Sequence, residues 1–345
     1  MAEESRGKVL GMSFLCNKVR LAEAESSEGQ VQINRVAYGQ LDVAFDFSAI
    51  RGGSLTNKFS DFINARLAEG EFQARKTIVS LDNALVLVKK IPIDSDFSDE
   101  DITSQVGWEV EQMLLSPKEQ FITAHQSLLS TSTAAEEVVI VAVRKTVIDY
   151  LRKIFAATDL RLVAVDINLF SAARALKASH NLEELENVGL IELGEVAINF
   201  SILRGGEYYL SQEVAYPIGR GEAGLPTGEP TAVGLSDRSR SRPDLGTGHA
   251  GEEDLPRFIS KELRRLLVDN NLGETVEALD GVFLHGEMLE DQILESLQNA
   301  HDVRVDRANP FRRLRLNFDL AEDPFVKARP ELFLTCVGAA LKGTN

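Results

Sequence analysis

Twice in this chain, three short runs of alternating apolar and polar residues follow one another and then give way to helix–strand alternation. The first set is VLGMSFLCNKVRLAEAE followed by VQINRVAYGQ. Residues 9–25 read as two strands joined by a turn near Cys16–Asn17–Lys18, where Asn tolerates left-handed turn geometry. The second set starts at Val188 with GLIELGE, VAINFSILRG and EYYLSQEVAYPI, and places a turn at Gly205–Gly206. A meander of this kind has an apolar face that something must cover. Its recurrence in 345 residues predicts two related lobes facing a cleft, residues 9–180 and residues 181–345.

Between the two sets lies a richer segment, Lys76 to Leu176. It contains the β runs KTIVSLDN and ALVLVKKIPI, the helix DEDITSQVGWEVEQML, the strand VVIVAVRK, the helix TVIDYLRKIFAATD and the unit LRLVAVDINLFSAARAL. Ile102, Val106, Val110 and Met113 recur at spacings of four, four and three, which puts them on one helix face against a sheet. Residues 76–159 are accordingly predicted to form an α/β subdomain inserted in the first lobe. Before it, LTNKFSDFINARLAEGEF is an amphipathic helix with Phe59, Phe62, Ile63 and Leu67 on one side and Gly70 as its stop. From 221 to 255 the chain turns to Gly, Pro, Ser and charge, and is expected to be a disordered insertion in the second lobe. A mobile lid or partner-binding loop is the other reading of that stretch.

Composition limits the partners. With 37 basic against 53 acidic residues and a net charge of -16, neither nucleic acid nor anionic lipid suits the surface as main ligand, although Arg312, Arg313 and Arg315 make a local basic cluster. No run reaches the roughly 20 apolar residues of a membrane-spanning helix, and MAEESRGKVLGMSF carries no signal-peptide core. Cys16 and Cys336 are too few for a disulfide framework, and no spacing of Cys and His suggests zinc. A reducing cytoplasm is the expected compartment.

Taken in order, FSDEDITSQVGWEVEQML, VVIVAVRKTVIDYLRKIFAATDLRLVAVDINLFSAARAL, LIELGE with NFSILRGGEYYLSQEV, GVFLHGEML, ANPFRRL and FLTCVGAALKG resemble the PilM family. This is the actin-like component of type IV pilus assembly, related to the division protein FtsA and to the cytoplasmic part of type II secretion L proteins. The resemblance runs from Val9 to Gly343 apart from the insertion. It implies a two-lobed actin-like (RNase H-like) α/β fold with an inserted 1C, SHS2-like subdomain. It also implies a nucleotide cleft, and a partner in the cytoplasmic N-terminal tail of a bitopic inner-membrane, PilN-like protein.

The chain departs from the family's phosphate-loop patterns. Ser13 stands where the family's first hairpin has its magnesium-linked Asp, and Leu15 stands where it has Gly, with Cys16, Asn17 and Lys18 completing the loop. At the second loop Glu192 replaces Asp while Gly194 is retained, and Val196, Ala197 and Ile198 follow where hydroxyls are expected. The adenosine-side motif reads HGEML, with Gly286 retained and Glu287 in place of a second Gly. Asp166 is either a helix cap or the carboxylate that related ATPases use to orient water. Lys18 reads as a solvated turn lysine or a phosphate contact, and Glu192 as a polar strand-end residue or a ligand. These departures favour a pseudo-ATPase scaffold with no cofactor, without metal, over a weak ATP/Mg switch. Trp108 lies off the apolar stripe of its helix and is the candidate partner contact, since exposed aromatics are enriched in interfaces. The chain would reach the inner membrane through its partner and not by insertion, and self-association stays open.

Overall fold

The computed structural model describes residues 7–27, 29–53, 55–94, 96–113, 120–128, 135–182, 184–195, 197–216 and 254–344. The stretch at 221–255 therefore lies outside the described residues except at its last two positions, and so does Val196. The chain forms two compact units, Met1–Asn181 with Asn309–Asn345, and Leu182–Ala308.

In the first unit β1 (Lys8–Leu15), β2 (Lys18–Ser27) and β3 (Gln30–Gln40) form the expected meander. They join β4 (Lys76–Leu81), β8 (Arg161–Ile167) and β14 (Arg315–Leu316) in a six-stranded sheet of order β14-β3-β2-β1-β4-β8. The period of two in β1 divides its side chains between the faces. Leu10, Met12 and Phe14 enter a core with α1 (Phe47–Gly52), α2 (Thr56–Glu69) and α4 (Lys145–Ala156). There Phe14 stacks on Phe45 at 4.4 Å between ring centroids, and Phe45 meets Phe59 edge-on at 5.4 Å. Val9 and Ser13 face the other way, where Val9 packs with Ile78 and Ala339 and Ser13 meets Thr335.

That second face is covered by α5 (Asn168–Ser179) and α10 (Leu334–Lys342). Every residue of α10 from Leu334 to Leu341 is buried, so this helix needs cover all round. It lies so close to its neighbours that a Cβ on Gly338 would stand 1.7 Å from the Ser171 carbonyl oxygen, and one on Gly11 would stand 1.9 Å from that of Cys336. The C-terminal segment from Asn309, assigned from the sequence to the second lobe, thus returns to the first unit. It carries α8 (Phe318–Glu322) and α9 (Pro324–Ala328) on the way.

The inserted module is β5 (Val86–Asp94), α3 (Asp99–Met113), β6 (Phe121–Leu128) and β7 (Ala135–Arg144), an antiparallel sheet of order β5-β7-β6 under one helix. Its core contains Ile91, Val106, Val110, Met113, Phe121, Val138 and Ile140, with Ile102 packed at the edge, so the helix stripe reads correctly from spacing. Its limits are narrower than 76–159. KTIVSL, buried at five of six positions, is an inner parallel strand between β1 and β8, and α4 puts Val147, Leu151 and Ile154 into the first core.

The second unit holds β9 (Asn187–Leu193), β10 (Ala197–Arg204), β11 (Glu207–Ala215), β12 (Gly281–His285) and β13 (Val305–Arg307) in the order β11-β10-β9-β12-β13. With α6 (Leu255–Asp269) and α7 (Asp291–Ala300) they enclose a core around Phe200, Leu263, Leu267 and Leu284. Gly205 and Gly206 both have positive φ (56° and 78°), as a two-residue hairpin turn requires. Val9, Val138 and Leu190 lie in three different sheets.

Candidate functional site

In the first unit the predicted residues gather where β1 ends. Leu15 pairs with Lys18 across a two-residue turn. The left-handed position in it is Cys16, with φ 51°, and not Asn17. The Asn17 amide spans the gap to the next loop instead, its Nδ2 donating to the Leu41 carbonyl at 3.0 Å, while the Cys16 carbonyl accepts from the Phe45 N–H at 2.8 Å. Lys18 is buried and not solvated; its ammonium donates to Asn17 Oδ1 at 3.1 Å, in keeping with the rule that a buried lysine needs a partner. Leu15 is buried with an ordinary φ, so its backbone carries no glycine-like strain.

Ser13 is fully buried and its Oγ accepts from Thr335 Oγ1 at 2.9 Å. In the sheet register Ser13 sits beside Ser80, and Ser80 beside Asp166, so the three form one row across β1, β4 and β8. Asp166 is neither a helix cap nor a free carboxylate. The first turn of α5 has no side-chain cap of its own; the Leu169 N–H donates to Asn83 Oδ1 at 3.2 Å, and Asn168 is turned inward to the Phe14 carbonyl. Asp166 itself accepts from Ser171 Oγ at 3.0 Å and Arg174 Nη1 at 2.8 Å, and Lys342 Nζ stands 3.3 Å away. Burial pushes its carboxyl pKa up, but Arg174 and Lys342 more than offset this and hold it below the usual range.

Sequence reading missed Asp82, directly after β4. Its carboxylate accepts from the Ala84 N–H at 3.0 Å. Burial drives its pKa upward against hydrogen bonds from the Ala84 and Cys16 amides and the nearby Arg20 charge. A carboxylate thus contacts the loop amide that follows Leu15. The signal was present in the Asp–Asn pair closing KTIVSL, a common end to a strand.

In the second unit Glu192, Gly194 and Gly286 come together at the ends of β9 and β12. Glu192 is buried, accepts from Asn199 Nδ2 at 3.3 Å and lies beside His285 in register. Gly194 closes a tight return in which its N–H donates to the Ala197 carbonyl at 3.1 Å, and a Cβ there would stand 2.8 Å from that oxygen. Gly286 has φ +113°, and a Cβ on it would stand 2.5 Å from the Leu193 carbonyl oxygen. Both glycines are required by chain packing alone. Among the described residues, no group of three or more His, Cys, Asp or Glu side chains could hold a metal ion.

The family model of type IV pilus assembly protein PilM matches residues 11–217. The chain belongs to the PilM family. Among solved structures, a PilM–PilN type IV pilus biogenesis complex aligns with a TM-score of 0.71 at 16% identity, over 98% of this chain and 98% of that one. A protein of actin-like ATPase fold and unknown function from Bacteroides thetaiotaomicron aligns at 0.48 with 11% identity over 92% and 96%. The cytoplasmic domain of EpsL, an inner-membrane component of the Vibrio cholerae type II secretion system, aligns at 0.41 with 10% identity over 97% and 94%. The alignment with the PilM–PilN complex shows the fold, the two-lobed actin-like one.

Within this PilM-family chain Trp108 stands on the inserted module, 55% exposed, on the side of α3 away from its buried stripe. Among the described residues no helix is long and apolar enough to cross a membrane.

Proposed function

We propose that this chain is a scaffold of type IV pilus assembly or a related secretion machinery. It would bind the cytoplasmic N-terminal tail of a bitopic inner-membrane, PilN-like partner without hydrolysing ATP. The observation that carries this reading is the match, over nearly the whole of both chains, to a PilM–PilN complex. The acidic balance of -16 complements a juxtamembrane tail rich in Lys and Arg, with charge setting the encounter rate and apolar anchors the affinity. Such a tail would hold the chain at the inner membrane.

The loop residues support the reading without hydrolysis. Magnesium beside phosphates is held by one or two carboxylates; here that position is Ser13, bonded to Thr335. The Leu15 side chain fills the place of a glycine at which phosphate would approach. MgATP is therefore expected to bind no tighter than the millimolar range, about -4 kcal/mol. Calorimetry with MgATP and titration of fluorescent tail peptides from co-encoded bitopic proteins test the two halves separately. If no tail binds, the scaffold reading fails; a micromolar MgATP dissociation constant would instead support an ATP-binding switch in the same machinery.

A further inference from the structure

At the end of the six-stranded sheet opposite the β1–β2 turn, where β3 begins, the first unit has a pocket of about 340 Å³ between β3, α5, α10 and the segment entering β14. Its Gln30–Val31 end lies some ten residues along β2 and β3 from Cys16, roughly 30 Å at strand rise, while Arg174 reaches from its lining to Asp166 in the row of Ser13 and Ser80. Among the described residues, the charged side chains lining it are arginines, namely Arg174, Arg313 and Arg315, and Val31, Leu314 and Leu341 supply apolar wall.

Two features set this cluster apart from solvated surface arginines. Arg174 is fixed, its Nη1 donating to Asp166 at 2.8 Å and to the Gly338 carbonyl at 3.0 Å. Asp166 is shared with Lys342, so two cations answer one carboxylate and positive charge is left over. The side chains of Arg313, in the turn before β14, and of Arg315, at the start of β14, make no ion pair or hydrogen bond with any described residue. In a chain of net charge -16, three arginines line one pocket, and among the described residues no acid lines it with them. Like charges so placed repel unless an anion is shared between them, and the guanidinium fork matches phosphate oxygens bidentately. The volume falls within the range of small-molecule sites and exceeds what one oxyanion fills.

We propose that this pocket binds a soluble phosphorylated small molecule. Arg313 and Arg315 grip the phosphate, Arg174 is the fixed third donor, and the less polar part rests on Val31, Leu314 and Leu341. A phospholipid headgroup offers the same phosphate chemistry, but the net negative surface is repelled by an anionic bilayer. The test uses the full chain, inorganic pyrophosphate as calorimetric probe, and flotation with vesicles containing phosphatidic acid. The comparison is Arg313→Ala/Arg315→Ala, at two exposed side chains, and its melting temperature is expected to match that of the wild type. Saturable pyrophosphate binding that weakens at least tenfold in the double variant and falls steeply with salt, with no vesicle flotation, is expected. No pyrophosphate binding to the wild type, equal binding to the double variant, or arginine-dependent flotation in its place would each overturn the assignment.

Discussion

Asp166 ties three elements of the first unit together. At 5% exposure and between Arg174, Lys342 and Ser171, it joins the end of β8 to α5 and to the last residue of α10. Asp166→Ala leaves Arg174 without its carboxylate, and a loss of about 2 kcal/mol of stability by denaturant unfolding at pH 7 is expected. Because its folded pKa lies below the unfolded value of about 3.9, the unfolded state binds the proton first. Its contribution is therefore present above that value and lost as pH falls through the lower, folded pKa, so wild type and variant converge in acid. Gly286 is a second such residue: with φ +113° and the Leu193 carbonyl 2.5 Å from any Cβ, Gly286→Ala should cost at least about 2 kcal/mol, read as a fall in melting temperature. That a glycine was wanted there was legible from the strand exit. That Lys18 is buried was not, because burial of a turn lysine depends on the distant loop at Leu41 that closes over Asn17.

At the scale of elements, α3 carries its own instructions. Its apolar stripe is spaced for one face, and Ser98 and Asp101 cap its start reciprocally, Asp101 Oδ2 accepting from the Ser98 N–H at 3.0 Å and the Asp101 N–H donating to Ser98 Oγ at 3.3 Å. Trp108 lies outside that stripe, so Trp108→Ala should leave the melting temperature unchanged. Tail-peptide affinity should drop by more than about 1 kcal/mol in a fluorescence titration, as for an interface anchor. A lowered melting temperature with unaltered affinity would show that Trp108 is packed in the module and that the tail binds elsewhere. The start of α5 is the opposite case. Its sequence offers Asp166 as a cap, yet the bond to Leu169 comes from Asn83, 86 positions away, because β4 and β8 are neighbours in the sheet.

At the scale of the whole molecule, the C-terminal helix completes the first unit from the far end of the chain. Its close approach tolerates no side chain at Gly338, where a Cβ would stand 1.7 Å from the Ser171 backbone oxygen. Gly338→Ala should therefore destabilise by about 3 kcal/mol or more, measured by denaturant unfolding, since only backbone displacement makes room. The strand triplets, the helix faces, the two turns and the family are legible along the chain, because alternation, helical spacing and turn chemistry are local and written residue by residue. Packing across the folded chain is what puts KTIVSL and α4 in the main core and not in the inserted module, returns the chain from Asn309 to the first unit, and lines one pocket with three arginines. Those outcomes depend on which apolar faces find each other across long separations, and an amphipathic helix carries no mark of the sheet it will cover.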